Sequence, residues 1–134
     1  MTPAQLRERT AAFAVDVTTF AKPLLEVLAT RGAGLQLMRA ATSVAANYRA
    51  AGRSRTRPEF ISKVRTVLEE ADESLYWLEH LDATGESANA ARTKLKQEAQ
   101  ELVAIISRSV RTLRRRRGQG TADRQIVRLP DLDR

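Results

Sequence analysis

Apolar residues at Leu6, Phe13, Val17, Phe20 and Leu24, with Thr10 filling the series, recur in steps of three and four, the period of one face of an α-helix. Thr2 stands before this run with Pro3 next and Gln5 three residues on. That pattern predicts a capping box, in which two otherwise orphan backbone amides are satisfied. Pro23 has no amide hydrogen and its ring crowds the preceding turn, so the helix is expected to kink or restart there and to end at Arg31-Gly32-Ala33-Gly34. A second helix is predicted from about Leu35 to Ala51, with Met38, Ala41, Ala45 and Tyr48 on one stripe and small residues around most of its circumference. Gly52 supplies a stop, and Thr56-Arg57-Pro58-Glu59 predicts another capping box. The third helix then carries Phe60, Val64, Val67, Ala71, Leu75, Leu78 and Leu81 inward until Thr84-Gly85 breaks the pattern. A fourth is expected from near Ser87, with Ala88, Ala91, Leu95, Ala99, Leu102, Ile106, Ser109 and Leu113 along a heptad-like seam, ending at Gly118-Gln119-Gly120.

Four amphipathic segments joined by short turns, with no competing strand pattern, predict an all-α fold, an antiparallel up-down-up-down four-helix bundle. The bundle domain is expected over residues 1–117. Residues 118–134 are expected to form a flexible C-terminal tail, because the patch Ile126-Val127-Arg128-Leu129-Pro130 is too small to build a core. A chain of 134 residues suits one domain. Aromatic residues make up only 4% of it, so the core volume has to come from aliphatic layers. The absence of cysteine excludes disulfides, iron–sulfur clusters, zinc fingers and thiol catalysis together. No basic segment followed by an uninterrupted apolar run opens the chain, and the run Leu102 to Ile106 is far short of the ~20 residues that cross a bilayer. A cytoplasmic protein with no membrane partner is expected.

Charge adds direction to this picture. The chain carries a formal +7 with a pI near 10.7, which favours polyanionic partners. Between Arg49 and Arg65 lie six basic residues, Arg49, Arg53, Arg55, Arg57, Lys63 and Arg65, against the single acid Glu59. From Thr66 to Glu86 the balance reverses, with seven acids and no Lys or Arg. Cations at the start of a helix oppose its macrodipole at a cost of about a few tenths of a kcal/mol each, so another role is implied for them. The fourth helix ends in Arg108, Arg111, Arg114, Arg115, Arg116 and Arg117. Three roles stand open for that cluster: a solvated end that complements the dipole, a polyanion contact, or a membrane-surface contact. Arginine in place of lysine tilts the choice toward phosphate, whose oxygens a guanidinium grips with two parallel hydrogen bonds.

Catalytic constellations are missing from the sequence. His80 is the sole histidine and has no second His, Cys or suitably spaced carboxylate pair to complete a metal-ligand set. The usual nucleophile and base combinations cannot be assembled, so an enzyme is not expected. Glu69-Glu70 and Asp72-Glu73 lack the Glu-x-x-His companion of di-iron bundles. Gly32-Ala33-Gly34 lacks the spacing and lysine of a phosphate loop and is read as a turn. No cofactor and no metal are expected.

Three stretches are more specific: Leu37-Met38-Arg39-Ala40-Ala41-Thr42-Ser43-Val44-Ala45-Ala46-Asn47-Tyr48-Arg49, Ser54-Arg55-Thr56-Arg57-Pro58-Glu59-Phe60-Ile61-Ser62-Lys63 and Glu70-Ala71-Asp72-Glu73-Ser74-Leu75-Tyr76-Trp77-Leu78-Glu79. Together they resemble the bacterial four-helix bundle protein family, also called 23S rRNA intervening-sequence or S23 ribosomal-like proteins, over about residues 5 to 115. The resemblance implies an up-down protomer, a ring-shaped homopentamer and a nucleic-acid role, without implying membership of the ribosome. A related branch, the accessory variability determinant proteins, is linked to a reverse transcriptase and its RNA, which makes such an enzyme a partner by analogy alone. The family pattern has Gly where Ala45 stands and Glu where Ala50 stands. Without that glutamate, Arg49 is expected to be freer for a partner.

Within these stretches Arg39, Asn47, Tyr48, Glu73, Tyr76 and Trp77 are the motif residues, with two roles open. Inward polar groups of a motif commonly satisfy one another inside a bundle. Alternatively Tyr76 and Trp77 anchor a neighbouring protomer, since Leu75, Tyr76, Trp77 and Leu78 cover too much circumference for a lone amphipathic helix. The expected function is a non-catalytic homo-oligomer that binds nucleic acid, RNA before DNA, with low sequence specificity. Its phosphate contacts would be Arg49, Arg53, Arg55, Arg57, Lys63 and the Arg108 to Arg117 cluster. The alternative is an oligomeric scaffold for proteins, without nucleic acid.

Overall fold

A computed structural model describes residues 1–85 and 89–117. Among them are four α-helices and no strand: α1 (Pro3–Ala21), α2 (Leu28–Ala51), α3 (Arg57–Thr84) and α4 (Ala90–Arg117). Ser87, Ala88 and residues 118–134, including the expected tail, lie outside the described residues.

The start of α1 follows the sequence rule. The Thr2 hydroxyl accepts from the Gln5 amide at 3.1 Å while the Gln5 side chain accepts from the Thr2 amide at 2.8 Å. At α3 only half of the expected box forms. Thr56 accepts from the Glu59 amide at 3.3 Å, but the Glu59 carboxylate takes the Arg55 amide instead of that of Thr56. Asn89 caps α4 through the Arg92 amide at 3.0 Å.

The break between the first two helices is not where the glycines suggested. A 3-10 turn at Lys22–Glu26, with Pro23 in its first positions, and an extended Val27 interrupt the chain. Gly32, Ala33 and Gly34 are then part of α2. Gly34 serves proximity: a Cβ placed there would sit a tight 3.1 Å from Leu24 Cβ and 3.3 Å from Leu25 Cδ2. A small residue is what lets the 3-10 turn fold back on α2.

One core runs through the molecule. Leu6, Thr10, Phe13 and Val17 of α1 face Leu37, Ala41, Val44 and Tyr48 of α2, and these join Phe60, Val64, Val67, Ala71 and Leu78 of α3 with Leu95, Ala99, Leu102, Ile106 and Leu113 of α4. The stripe on α2 is centred one residue before the expected one, leaving Met38 and Ala45 only partly buried. On α3, Ser74 is buried and Leu75 partly so, because Ser74 turns its hydroxyl back to the Glu70 carbonyl at 2.8 Å and fits at the helix seam. Ala91 is exposed.

Each helix packs on the next in sequence, and α1 also meets α4. Among the described residues, three ion-pair clusters stitch the seams. Arg9 on α1 grips Glu98 and Glu101 on α4; Arg39 on α2 grips Glu70 and Glu73 on α3; and Asp82 on α3 accepts from Arg92 and Lys96 on α4. Partly exposed pairs of this kind contribute about 0.2–1 kcal/mol each. They fix which helix faces which more than they set total stability.

Candidate nucleic-acid interface

Two contacts and one short connection decide which ends of the helices lie together. The Tyr48 hydroxyl donates to the Pro3 carbonyl at 3.4 Å, placing the end of α2 beside the start of α1. Five residues, Gly52 to Thr56, connect α2 to α3. The Arg57 guanidinium donates to the Leu113 carbonyl at 3.0 Å, placing the start of α3 beside the last turns of α4. Two arginine-rich segments about fifty residues apart in sequence are thereby brought to one end of the molecule.

Arg49, Arg53 and Arg55 are exposed at the end of α2 and in the loop after it. Arg57 and Lys63, on the first turns of α3, are partly buried; Lys63 pairs with Glu59 at 3.4 Å and Arg57 is held by α4. Arg108, Arg111, Arg114 and Arg115 are exposed on α4, where Arg108, Arg111, Thr112 and Arg115 line a surface cavity of about 240 Å³. The helix backbone continues to Arg117, while the side chains of Arg116 and Arg117 lie outside those described. Toward the other end α3 presents Glu69, Asp72 and Glu79 to solvent. The helix α3 is polarised along its length, basic at its start and acidic beyond Thr66.

The motif residues do not form one mutual network. Asn47 bonds within its own helix, to the Ser43 carbonyl at 2.9 Å and hydroxyl at 2.8 Å. Tyr48 turns to α1, and burial pushes its phenol above the ordinary range. Arg39, Glu73 and Trp77 do come together: the indole Nε1 donates to Glu73 at 3.4 Å and Arg39 holds the same carboxylate. The hydrogen bond from Arg39 is the main reason the Glu73 carboxyl is held below its usual value, and the same bond raises the Arg39 guanidinium. Glu70, beside them, moves the other way because burial outweighs the pull of Arg39. Tyr76 is 56% exposed and meets Trp77 edge to face at 4.9 Å, with His80 next to Trp77 at 5.6 Å.

Two features escaped the sequence. Arg9 with its acids on α4 carries no local spacing signal, since its partners are 89 and 92 residues away. Arg65 stands in the basic run without a motif of its own. It lines a cavity of about 350 Å³ on α3, and its spacing to Ile61 and Arg57 was the available clue.

Such an arrangement defines a small all-α helical bundle with two arginine-rich segments at one end. The chain belongs to the family described as 23S rRNA-intervening sequence protein, which it matches over residues 4–108, as the stretches on the second and third helices implied. It is also similar to a crystal structure described as a protein of unknown function from the S23 ribosomal protein family of Bacteroides thetaiotaomicron VPI-5482. The two share 26% identity over 83% of this chain and 99% of that one, with a TM-score of 0.75. No curated protein matches this chain. No helix among the described residues is long and apolar enough to cross a membrane.

Proposed function

We propose that this protein is a non-catalytic, cytoplasmic bundle of up-down-up-down topology that binds nucleic acid, RNA before DNA, through its arginine-rich end. The observation carrying this is the convergence on one end of the segment Arg49 to Lys63 and the segment Arg108 to Arg115, fixed by the Arg57 contact to Leu113. Guanidinium groups on rigid helix ends grip phosphate oxygens without reading bases, so affinity is expected to be steeply salt-dependent and nearly blind to sequence. The family's description, which refers to an intervening sequence of ribosomal RNA, favours RNA.

A second reading concerns assembly. Leu28 is 83% and Leu35 51% exposed on α2, and Tyr76 is 56% exposed on α3; these are apolar side chains that a homopentameric ring would cover. The same surface would serve the rival function, a protein scaffold without nucleic acid.

Fluorescence anisotropy of labelled RNA and DNA across a salt series, with mass measured by light scattering, separates the two. The proposal expects binding that weakens linearly in log–log form as salt rises. An assembled protein with no affinity at roughly 50 mM salt would refute it and favour the scaffold.

A further inference from the structure

We infer that the cavity on the first turns of α3 is a discrete phosphate-group site centred on Arg65, with Arg57 and Ser62 as its further donors. Arg57, Ser62, Arg65 and Thr66 line it over a floor that includes Ile61, and its volume is about 350 Å³. Ser62 and Arg65 are three residues apart, hence neighbours on one helix face. Arg57 is already fixed, because one of its nitrogens donates to the Leu113 carbonyl at 3.0 Å. A guanidinium carries five N–H donors, so most of those on Arg57 are left for another acceptor.

Arg65 supplies the independent observation. Its Nε is buried and has no hydrogen-bond partner in the protein, and Ser54 Oγ is the other side-chain atom in that condition among the described residues. A buried donor without an acceptor is destabilising, more so when it belongs to a charged group, so an acceptor for this guanidinium is favoured. The chemistry that suits this guanidinium is an oxyanion in the cavity that takes two of its N–H donors side by side. The Thr66 hydroxyl is committed to the Ser62 carbonyl at 3.2 Å, which leaves the Ser62 hydroxyl as the neutral donor. Glu69 lines the far end of the cavity and bars an anion from that side, so the phosphate seats toward Arg57.

This deepens the nucleic-acid proposal, on which the source of the phosphate rests: a phosphodiester of a bound strand, or a free phosphate group. The test follows the arginine Nε–H signals of the full-length ¹⁵N-labelled chain by NMR, with Arg65→Lys assigning the Arg65 signal by its loss. Inorganic phosphate is titrated against sodium chloride at matched ionic strength, then RNA is added. The site expects a saturable shift of the Arg65 signal with phosphate and none with chloride. Arg65→Lys keeps the charge but loses the fork, and with helicity unchanged by circular dichroism it should bind phosphate about tenfold more weakly. Glu69→Gln should bind it about two- to fivefold more tightly. RNA that displaces phosphate and moves the same signal identifies a phosphodiester; phosphate bound with RNA unable to compete identifies a free phosphate group. Equal phosphate affinity in Arg65→Lys, or an Arg65 signal that moves with neither probe, overturns the site. If RNA then still binds the wild-type protein, the wider nucleic-acid proposal survives that failure.

Discussion

Replacing Gly32 by alanine adds a methyl group that meets no atom within 4 Å, in a helix interior where the backbone φ is already negative. Nothing in the folded state opposes the change. Alanine also restricts the unfolded chain, so the substitution is expected to stabilise the protein by about 0.5–1 kcal/mol. For a chain of 134 residues this is a rise in melting temperature of about 2–5 °C. Two residues on, the same chemistry meets a wall. A Cβ on Gly34 would lie 3.1 Å from Leu24 Cβ, 3.3 Å from Leu25 Cδ2 and 3.7 Å from the Ala21 carbonyl. Valine adds two further carbons in that space, and overpacking of this kind costs about 1–3 kcal/mol. Thermal unfolding of Gly32→Ala and Gly34→Val, followed by far-UV circular dichroism, should therefore move in opposite directions. Destabilisation by Gly32→Ala of about 1 kcal/mol or more would mean that residue 32 sits in a glycine-requiring turn, and the placement of the helix break at Lys22–Val27 would be wrong.

Three further outcomes are expected. Thr2→Ala removes the hydroxyl half of the capping box and should cost about 1 kcal/mol, read as a lowered melting temperature; no change would mean that α1 frays at its start. Glu73 and Asp82 have carboxyls held low, by Arg39 and by Lys96 with Arg92, so their contribution is present above their ordinary values of 4.5 and 3.8 and is lost as pH falls through the lower folded values. Unfolding midpoints should accordingly drop below about pH 4, and drop less in Asp82→Asn; identical acid profiles for the two proteins would contradict this. Trp77→Ala should keep helicity but weaken assembly, and an unchanged mass in solution would count against an aromatic subunit contact.

The core of α1 was legible because Leu6, Thr10, Phe13 and Val17 keep a clean helical period and Thr2 marks the start with local chemistry. The same holds for α3 from Phe60 to Leu81. The glycines near residue 33 misled because glycine serves both turns and close helix contacts, and the choice depends on Leu24 and Leu25 packing against Gly34 from outside the segment. Ser74 likewise took the buried place expected for Leu75 by satisfying its hydroxyl on its own helix. In the candidate site the charges were visible residue by residue, and so was the division of α3 into basic and acidic halves. Their convergence was not, since it requires Arg57 to meet Leu113 across the fold. The pairing of Arg39 with Glu73 is tertiary in the same sense.

Under the proposed function, position and not net charge makes the arginine-rich end a nucleic-acid surface. Neutralising Arg108 and Arg115 at that end, and separately Lys22 and Lys94 near the other, removes two exposed cations in each case. Salt-dependent RNA binding of the two variants compares them at equal charge. The first pair should lower affinity and flatten the log–log salt slope by about 1–2, while the second should leave both near wild type. Equal losses in the two variants would contradict it.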